Sequence, residues 1–312
     1  MTPAIPFVTG QPFTTAEATR AGLSHRALAA AVAAGSLIRS RHGWFHVPVA
    51  GESRKASAVR SSRIALAEGP VGALISHHTA AELHGLPLVR TRTQGVHLTV
   101  DRPAGGRKTP HVQIHTSPGS SLSATEVDGI PVTTVDRTII DLARTAGFDA
   151  GVCAADHALR LKLVTRASLV NELELHCGRT GVAIAREAVG FADPLAESPG
   201  ESLSRCVMRS LHVIPTPRLQ HRYLSPEGQV IARADFSWGD GTLAGEFDGR
   251  IKYSGRVGNG ADPSEVVWLE KQREDQLRDL GVVVIRWIWD DLFKPVRFER
   301  LLLGGLRRAH LI

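Results

Sequence analysis

Ala234-Asp235-Phe236, followed after a turn by Gly245-Glu246-Phe247-Asp248-Gly249-Arg250-Ile251-Lys252, is the stretch on which the reading of this chain depends. Turn signals frame it, with Ser225-Pro226-Glu227-Gly228 before one strand and Gly239-Asp240-Gly241 before the next. Strand side chains alternate, so Asp235 shares a face with Arg233 and Ser237, while Ala234, Phe236 and Trp238 take the other. On the following strand Glu246 and Asp248 share one face and oppose Leu243 and Phe247. Pairing the two strands brings Asp235 beside Glu246 and Asp248. Carboxylates that close repel one another, and such a cluster suits a hard divalent cation, Mg²⁺ or Mn²⁺. The plainer reading is a hairpin with an acidic face, balanced by Arg233, Arg250 and Lys252; the short motif alone does not separate the two.

The surroundings add an order of elements. Upstream, 199–211 carries Leu203, Val207 and Leu211 as the apolar stripe of a helix, and Glu201 lies in its first turn. Strands are expected near 218–223, 229–238 and 242–249. A helix near 264–280 stops at Gly281, and Val282 to Trp289 is an almost continuous apolar run, as in a strand buried on both faces. The expectation is therefore an α-β-β-β-α-β domain over 196–312.

That order, with carboxylates on its second and third strands, resembles the PD-(D/E)XK nuclease superfamily, and within it the small domains related to very-short-patch-repair (Vsr-like) endonucleases. The residues carrying the resemblance are Asp235, Glu246-Phe247-Asp248-Gly249, Glu270, Arg273, Leu277, Gly281 and Arg286. It implies a Mg²⁺- or Mn²⁺-dependent DNA endonuclease with Asp235, Glu246 and Asp248 as metal ligands and Glu201 as an accessory acid. The superfamily's lysine would stand at 248, where this chain has Asp248; Lys252, at the same strand parity as Glu246, is its substitute. The glycine-rich loop 254–263 lacks a Gly-Lys-Ser/Thr ending and reads as a flap, not a nucleotide cradle.

The chain's 312 residues carry a formal charge of +6 and an isoelectric point near 9.6, which favours a polyanionic partner. Through residue 60 there are seven basic residues against Glu17 and Glu52, a net of +5. They fall on a helix near 13–23, a second helix from His25 to Ala34 capped by Ser24, and a ribbon turning at His42-Gly43. Helix–turn–helix plus basic ribbon is the layout of a winged helix. There the second helix, with Arg26, can enter a major groove while Arg39, Arg41 and His42 on the wing reach phosphates or the minor groove. Gly35, Leu37, Arg39, Gly43 and Trp44 resemble the N-terminal domain of AbiEi-type antitoxins, and 76–86 and 130–143 resemble the middle region of the same proteins. That resemblance implies the alternative function, a non-catalytic regulator or antitoxin with a toxin or a second copy as partner.

The resulting fold class is α/β (α+β), in three parts: a winged-helix DNA-binding domain at 1–50, a mixed middle region at 51–195, and the nuclease-like domain at 196–312. In the middle region His78 and Glu82, at i,i+4, lack a third metal ligand, so its histidines are read as packed or capping. Asp136, Arg137 and Asp141 read as an ion-pair network at a helix start. Cys153, Cys177 and Cys206 are expected to be buried free thiols. No apolar run approaches membrane-spanning length and no leader pattern opens the chain, so a cytoplasmic, soluble protein without a membrane partner is expected.

Overall fold

Hydroxyl caps decide where several helices begin. Thr14, Ser24 and Ser53 each accept a hydrogen bond from the backbone N–H three residues on, starting α1 (Thr15–Arg20), α2 (His25–Ala33) and α3 (Arg54–Glu68). At α1 the cap is reciprocal, because Glu17 reaches back to the Thr14 N–H. The computed structural model describes residues 5–91, 94–118, 123–225, 227–249 and 276–312. The chain is a mixed α/β protein that parts into two compact units, one of residues 1–147 with 166–185, the other of 148–165 with 186–312.

In the first unit, β1 (Phe13–Thr14), β2 (Ile38–Arg41) and β3 (Trp44–His46) form a small antiparallel sheet in the order β1-β3-β2. Phe13, Leu23, Leu28, Leu37 and Phe45 close its core against α1 and α2. A six-stranded mixed sheet follows, in the order β6-β7-β5-β4-β9-β8. Its strands are β4 (Leu74–Ile75), β5 (Val96–Val100), β6 (Arg107–Lys108), β7 (Val112–Thr116), β8 (Ala124–Val127) and β9 (Ile130–Thr133). The helix α4 (His77–His84) ends where Gly85 takes the left-handed conformation at φ 72°. The helix α5 (Val135–Ala146) buries Arg137 and Asp141 together, with Nε and Oδ2 2.9 Å apart.

The second unit is built on a four-stranded sheet in the order β10-β11-β12-β13. Its strands are β10 (Arg218–Leu224), β11 (Val230–Trp238), β12 (Leu243–Asp248) and β13 (Val283–Ile288). The first two junctions are antiparallel and β12 pairs with β13 in parallel, so the chain must cross over between them. Of the helix expected near 264–280, only its end lies among the described residues, helical over 276–279. In this unit α6 (Phe148–Arg160) and most of α8 (Val182–Phe191) precede α9 (Pro199–Ser210), while α7 (Arg166–Leu175) belongs to the first unit; α10 (Trp289–Leu292) and α11 (Pro295–Arg308) end the chain. Trp287 donates its indole N–H to Ser204 Oγ at 2.7 Å and packs on Phe236 and Phe298, fixing α9 and α11 on the sheet. Gly200 makes this approach possible, because a Cβ there would fall 1.9 Å from the Phe247 ring.

Cys153 and Cys206 are buried free thiols, whereas Cys177 is exposed, since it follows the end of α7 where no core covers it. Among the described residues no helix is long and apolar enough to cross a membrane.

Candidate functional site

Asp235 sits where β11 and β12 stop pairing. The last ladder pair in that direction is Phe236 with Gly245, so Asp235 and Glu246 face each other one step beyond it. There Asp235 Oδ2 takes the backbone N–H of Phe247 at 2.9 Å, replacing a ladder bond with a side-chain one. Burial pushes the Asp235 carboxyl up to about 6; the nearby charges of Glu201 and Glu246 push the same way, opposed by the Phe247 N–H and Arg233. Asp235 thus feels Glu246, its expected strand neighbour, and Glu201 from a helix, whereas Asp248, the third member expected from strand alternation, is not among the charges acting on it.

Each neighbour is held from its own element. Glu201 comes from the first turn of α9, where Ser198 Oγ accepts from its N–H at 3.2 Å and donates to its Oε1 at 2.8 Å. Its Oε2 accepts from the Glu197 N–H at 2.8 Å and from Gln220 Nε2 at 3.0 Å. The other amide atom of Gln220, Oε1, is buried without a hydrogen-bond partner among the described residues, and the Gln220 backbone is left-handed at φ 53°. Glu246 lies opposite Arg286 across the parallel pair and accepts from its Nε at 2.9 Å. Asp248, half-buried, ends β12 opposite Ile288. Lys252, Arg250, Glu270 and Arg273 lie outside the described residues. Among the described residues these carboxylates do not draw three ligand atoms within 4.8 Å; His77, His97 and His115 do, in the other unit.

A cavity of about 520 Å³ is lined by Arg218, Gln220, Arg222, Arg233 and Glu197 among others, and Gln220 links it to Glu201 through its hydrogen bond. Arg233 is held in a two-pronged pair with Glu197, at 2.6 and 2.7 Å. Arg218 and Arg222 are exposed, and neither has an ion-pair partner among the described residues. The sequence does not single these arginines out; the register with β11 sets Arg218 opposite Ser237 and Arg222 opposite Arg233, on either side of Asp235.

In the N-terminal part, Arg26 on α2 and Arg39 and His42 on the ribbon are exposed, and Arg39 Nη2 lies 2.9 Å from His42 Nδ1. Arg41 behaves differently. The ribbon register slips between Arg39 and Arg41, so strict alternation fails there and Arg41 turns to Glu68 of α3 at 3.0 Å. Glu68 also accepts the Trp44 indole N–H at 2.6 Å, which ties the ribbon to that helix.

A search against protein-family models gives no match for this chain. Among solved structures, the RV2827C protein from Mycobacterium tuberculosis aligns with 17% identity and a TM-score of 0.38, over 70% of this chain and 84% of that one. Two uncharacterized proteins of Mycobacterium tuberculosis, Rv2248 from strain H37Rv and MT2308 from strain CDC 1551, are each 30% identical over 234 residues, covering 75% of this chain and 81% of theirs. The chain belongs to the family of these mycobacterial proteins.

Proposed function

We propose that the protein is a DNA-binding protein whose second unit is a PD-(D/E)XK-type endonuclease using Mg²⁺ or Mn²⁺, with a winged helix at its N-terminus. The observation that carries this reading is Asp235, one step beyond the last β11–β12 ladder pair, its Oδ2 held by the Phe247 N–H and its carboxyl shifted by burial and by the charges of Glu201 and Glu246.

The donor set fits a hard cation. Asp235 and Glu246 offer carboxylate oxygens, Asp248 adds a third at the strand end, and Gln220 Oε1, without a partner among the described residues, marks a polar position beside Glu201. Mg²⁺ keeps much of its water and needs only one or two carboxylates, so a tight protein cage is not required. When bound, such an ion polarises a phosphodiester and lowers the pKa of a coordinated water. The chain's own residues supply the rest. Arg218 and Arg222 hold phosphates of the strand in the groove, Gln220 and Ser198 fix Glu201, and Lys252 is the ammonium for the charge that develops on phosphorus. Arg26, Arg39 and His42 anchor the duplex at a distance from the chemistry, with Arg41 bracing the ribbon.

A second reading has its own observation. Glu246 is already paired with Arg286, and position 248 holds Asp instead of lysine, as suits a regulator that keeps the fold for binding, in the manner of an antitoxin with a toxin or second copy as partner. Calorimetry separates the two. The nuclease reading expects Mg²⁺ or Mn²⁺ to bind the wild-type chain and to bind Asp235→Ala at least about tenfold more weakly; equal binding, or none to either, favours the regulator.

A further inference from the structure

Three imidazoles converge in the first unit, away from the carboxylates. We propose that His77, His97 and His115 form a binding site for a transition metal, with Zn²⁺ the ion their chemistry favours and water the fourth ligand.

The arrangement follows from the sheet. β5 and β7 are parallel, with Thr99 opposite His115, and His97 shares the face of Thr99 two residues back, so both imidazoles rise from one face of adjacent strands. His115 Nε2 and His97 Nδ1 stand 3.1 Å apart. Two nitrogens bound tetrahedrally to one zinc ion, at about 2.0–2.1 Å each, are separated by about 3.3 Å. The third imidazole comes from the start of α4, and the ligand atoms of all three residues lie within 4.8 Å of one another.

His77 is presented at a cost. Its backbone is left-handed at φ 53°, a conformation that costs a residue with a Cβ about 1–2 kcal/mol. Its Nδ1 lies 2.9 Å from Ser76 Oγ, which in turn accepts the Thr99 hydroxyl at 2.7 Å. This chain of bonds orients the ring and leaves Nε2 for a metal, as outer partners do for ligating histidines. The neighbouring His78 is not among the converging ligand atoms, and its Nε2 turns to the Gly95 carbonyl at 3.2 Å. His97 and His115 are half-buried, so solvent reaches the site, while His77 is buried. Nearby Arg137 and Arg144 are offset by Asp141 and Glu172. Imidazole donors select zinc or cobalt over Mg²⁺, so this site and the carboxylates take different ions. The His77 and His115 rings stack with centroids 3.7 Å apart, so joint ligation requires one ring to turn about its Cβ–Cγ bond.

The test is a Co²⁺ titration of the full chain after metal removal, followed by visible absorption. One equivalent of Co²⁺ should give the intense bands of tetrahedral coordination, and Zn²⁺ should displace it. His97→Gln and His115→Gln should each lower affinity at least about tenfold with an unchanged far-UV spectrum, while Asp235→Ala leaves it intact. Absence of tetrahedral bands in the wild-type chain would overturn the proposal and leave the imidazoles as hydrogen-bonded core residues; so would full Co²⁺ affinity in both folded histidine variants. If a variant does not fold, the wild-type spectrum and its displacement by Zn²⁺ decide.

Discussion

In the proposed nuclease Asp235 carries the chemistry, and its burial also costs stability. Its carboxyl is raised to about 6 from 3.8, first by burial, so the folded chain binds its proton more tightly than the unfolded chain does. The stabilisation this gives is complete below the unfolded value and is lost as pH rises through about 6. Metal-free Asp235→Asn should therefore be more stable than wild type at pH 7.5, by about 1–3 kcal/mol, with the advantage gone near pH 4. Urea unfolding at the two pH values checks this; equal stability of both proteins at pH 7.5 would remove the charge conflict from the account. Lys252 belongs to the same scale. If its ammonium serves the transition state, Lys252→Met should depress turnover by a hundredfold or so while Mg²⁺ affinity stays within about twofold. Unchanged turnover would pass the role to another cation.

At the scale of elements, the carboxylates are positioned by three junctions: the cap of α9, the splay between β11 and β12, and the parallel β12–β13 pair. Gly200 is the narrowest point, and Gly200→Val should cost about 1–3 kcal/mol by forcing α9 off Phe247, read as a lower urea midpoint. A wild-type midpoint would mean that the helix yields easily. Much of this level could be read from the sequence. Ser198-Pro199 before an apolar stripe, the glycine turn at 239–241 and the run from Val282 all lie at or within a residue or two of the observed boundaries, because caps, turns and periodicity are local. The slip between Arg39 and Arg41 could not be, since alternation assumes a regular strand and a bulge leaves no composition signal there. Nor could the meeting of His77 with His97 and His115, which depends on β5 pairing in parallel with β7 although β6 lies between them in sequence. The sequence shows His78 and Glu82 as neighbours at helical spacing, and the convergence lies elsewhere.

For the whole molecule, the proposed function sets two exposed basic groups against a polyanion, Arg26 with Arg39 in one unit and Arg218 with Arg222 in the other. Each lost phosphate contact should remove roughly 0.9 from the log–log salt slope of duplex binding. Arg26→Ala with Arg39→Ala, and separately Arg218→Ala with Arg222→Ala, should each flatten that slope, measured by fluorescence anisotropy without divalent metal. Arg41→Ala should lower stability by up to about 1 kcal/mol and leave the slope alone, because its partner is Glu68. An unchanged slope in the N-terminal pair would point that surface at a protein partner instead.

The central claim is the chemistry at Asp235 and Glu246, and nicking of supercoiled plasmid by the full chain tests it most directly. With Mg²⁺ or Mn²⁺ the wild-type chain should convert supercoiled to open-circular DNA, EDTA should stop it, and Asp235→Ala and Glu246→Ala should each be inactive while keeping their far-UV spectra. A wild-type chain that leaves single-stranded, duplex and mismatched DNA intact with either metal, or alanine variants that cut as fast as wild type, would contradict it.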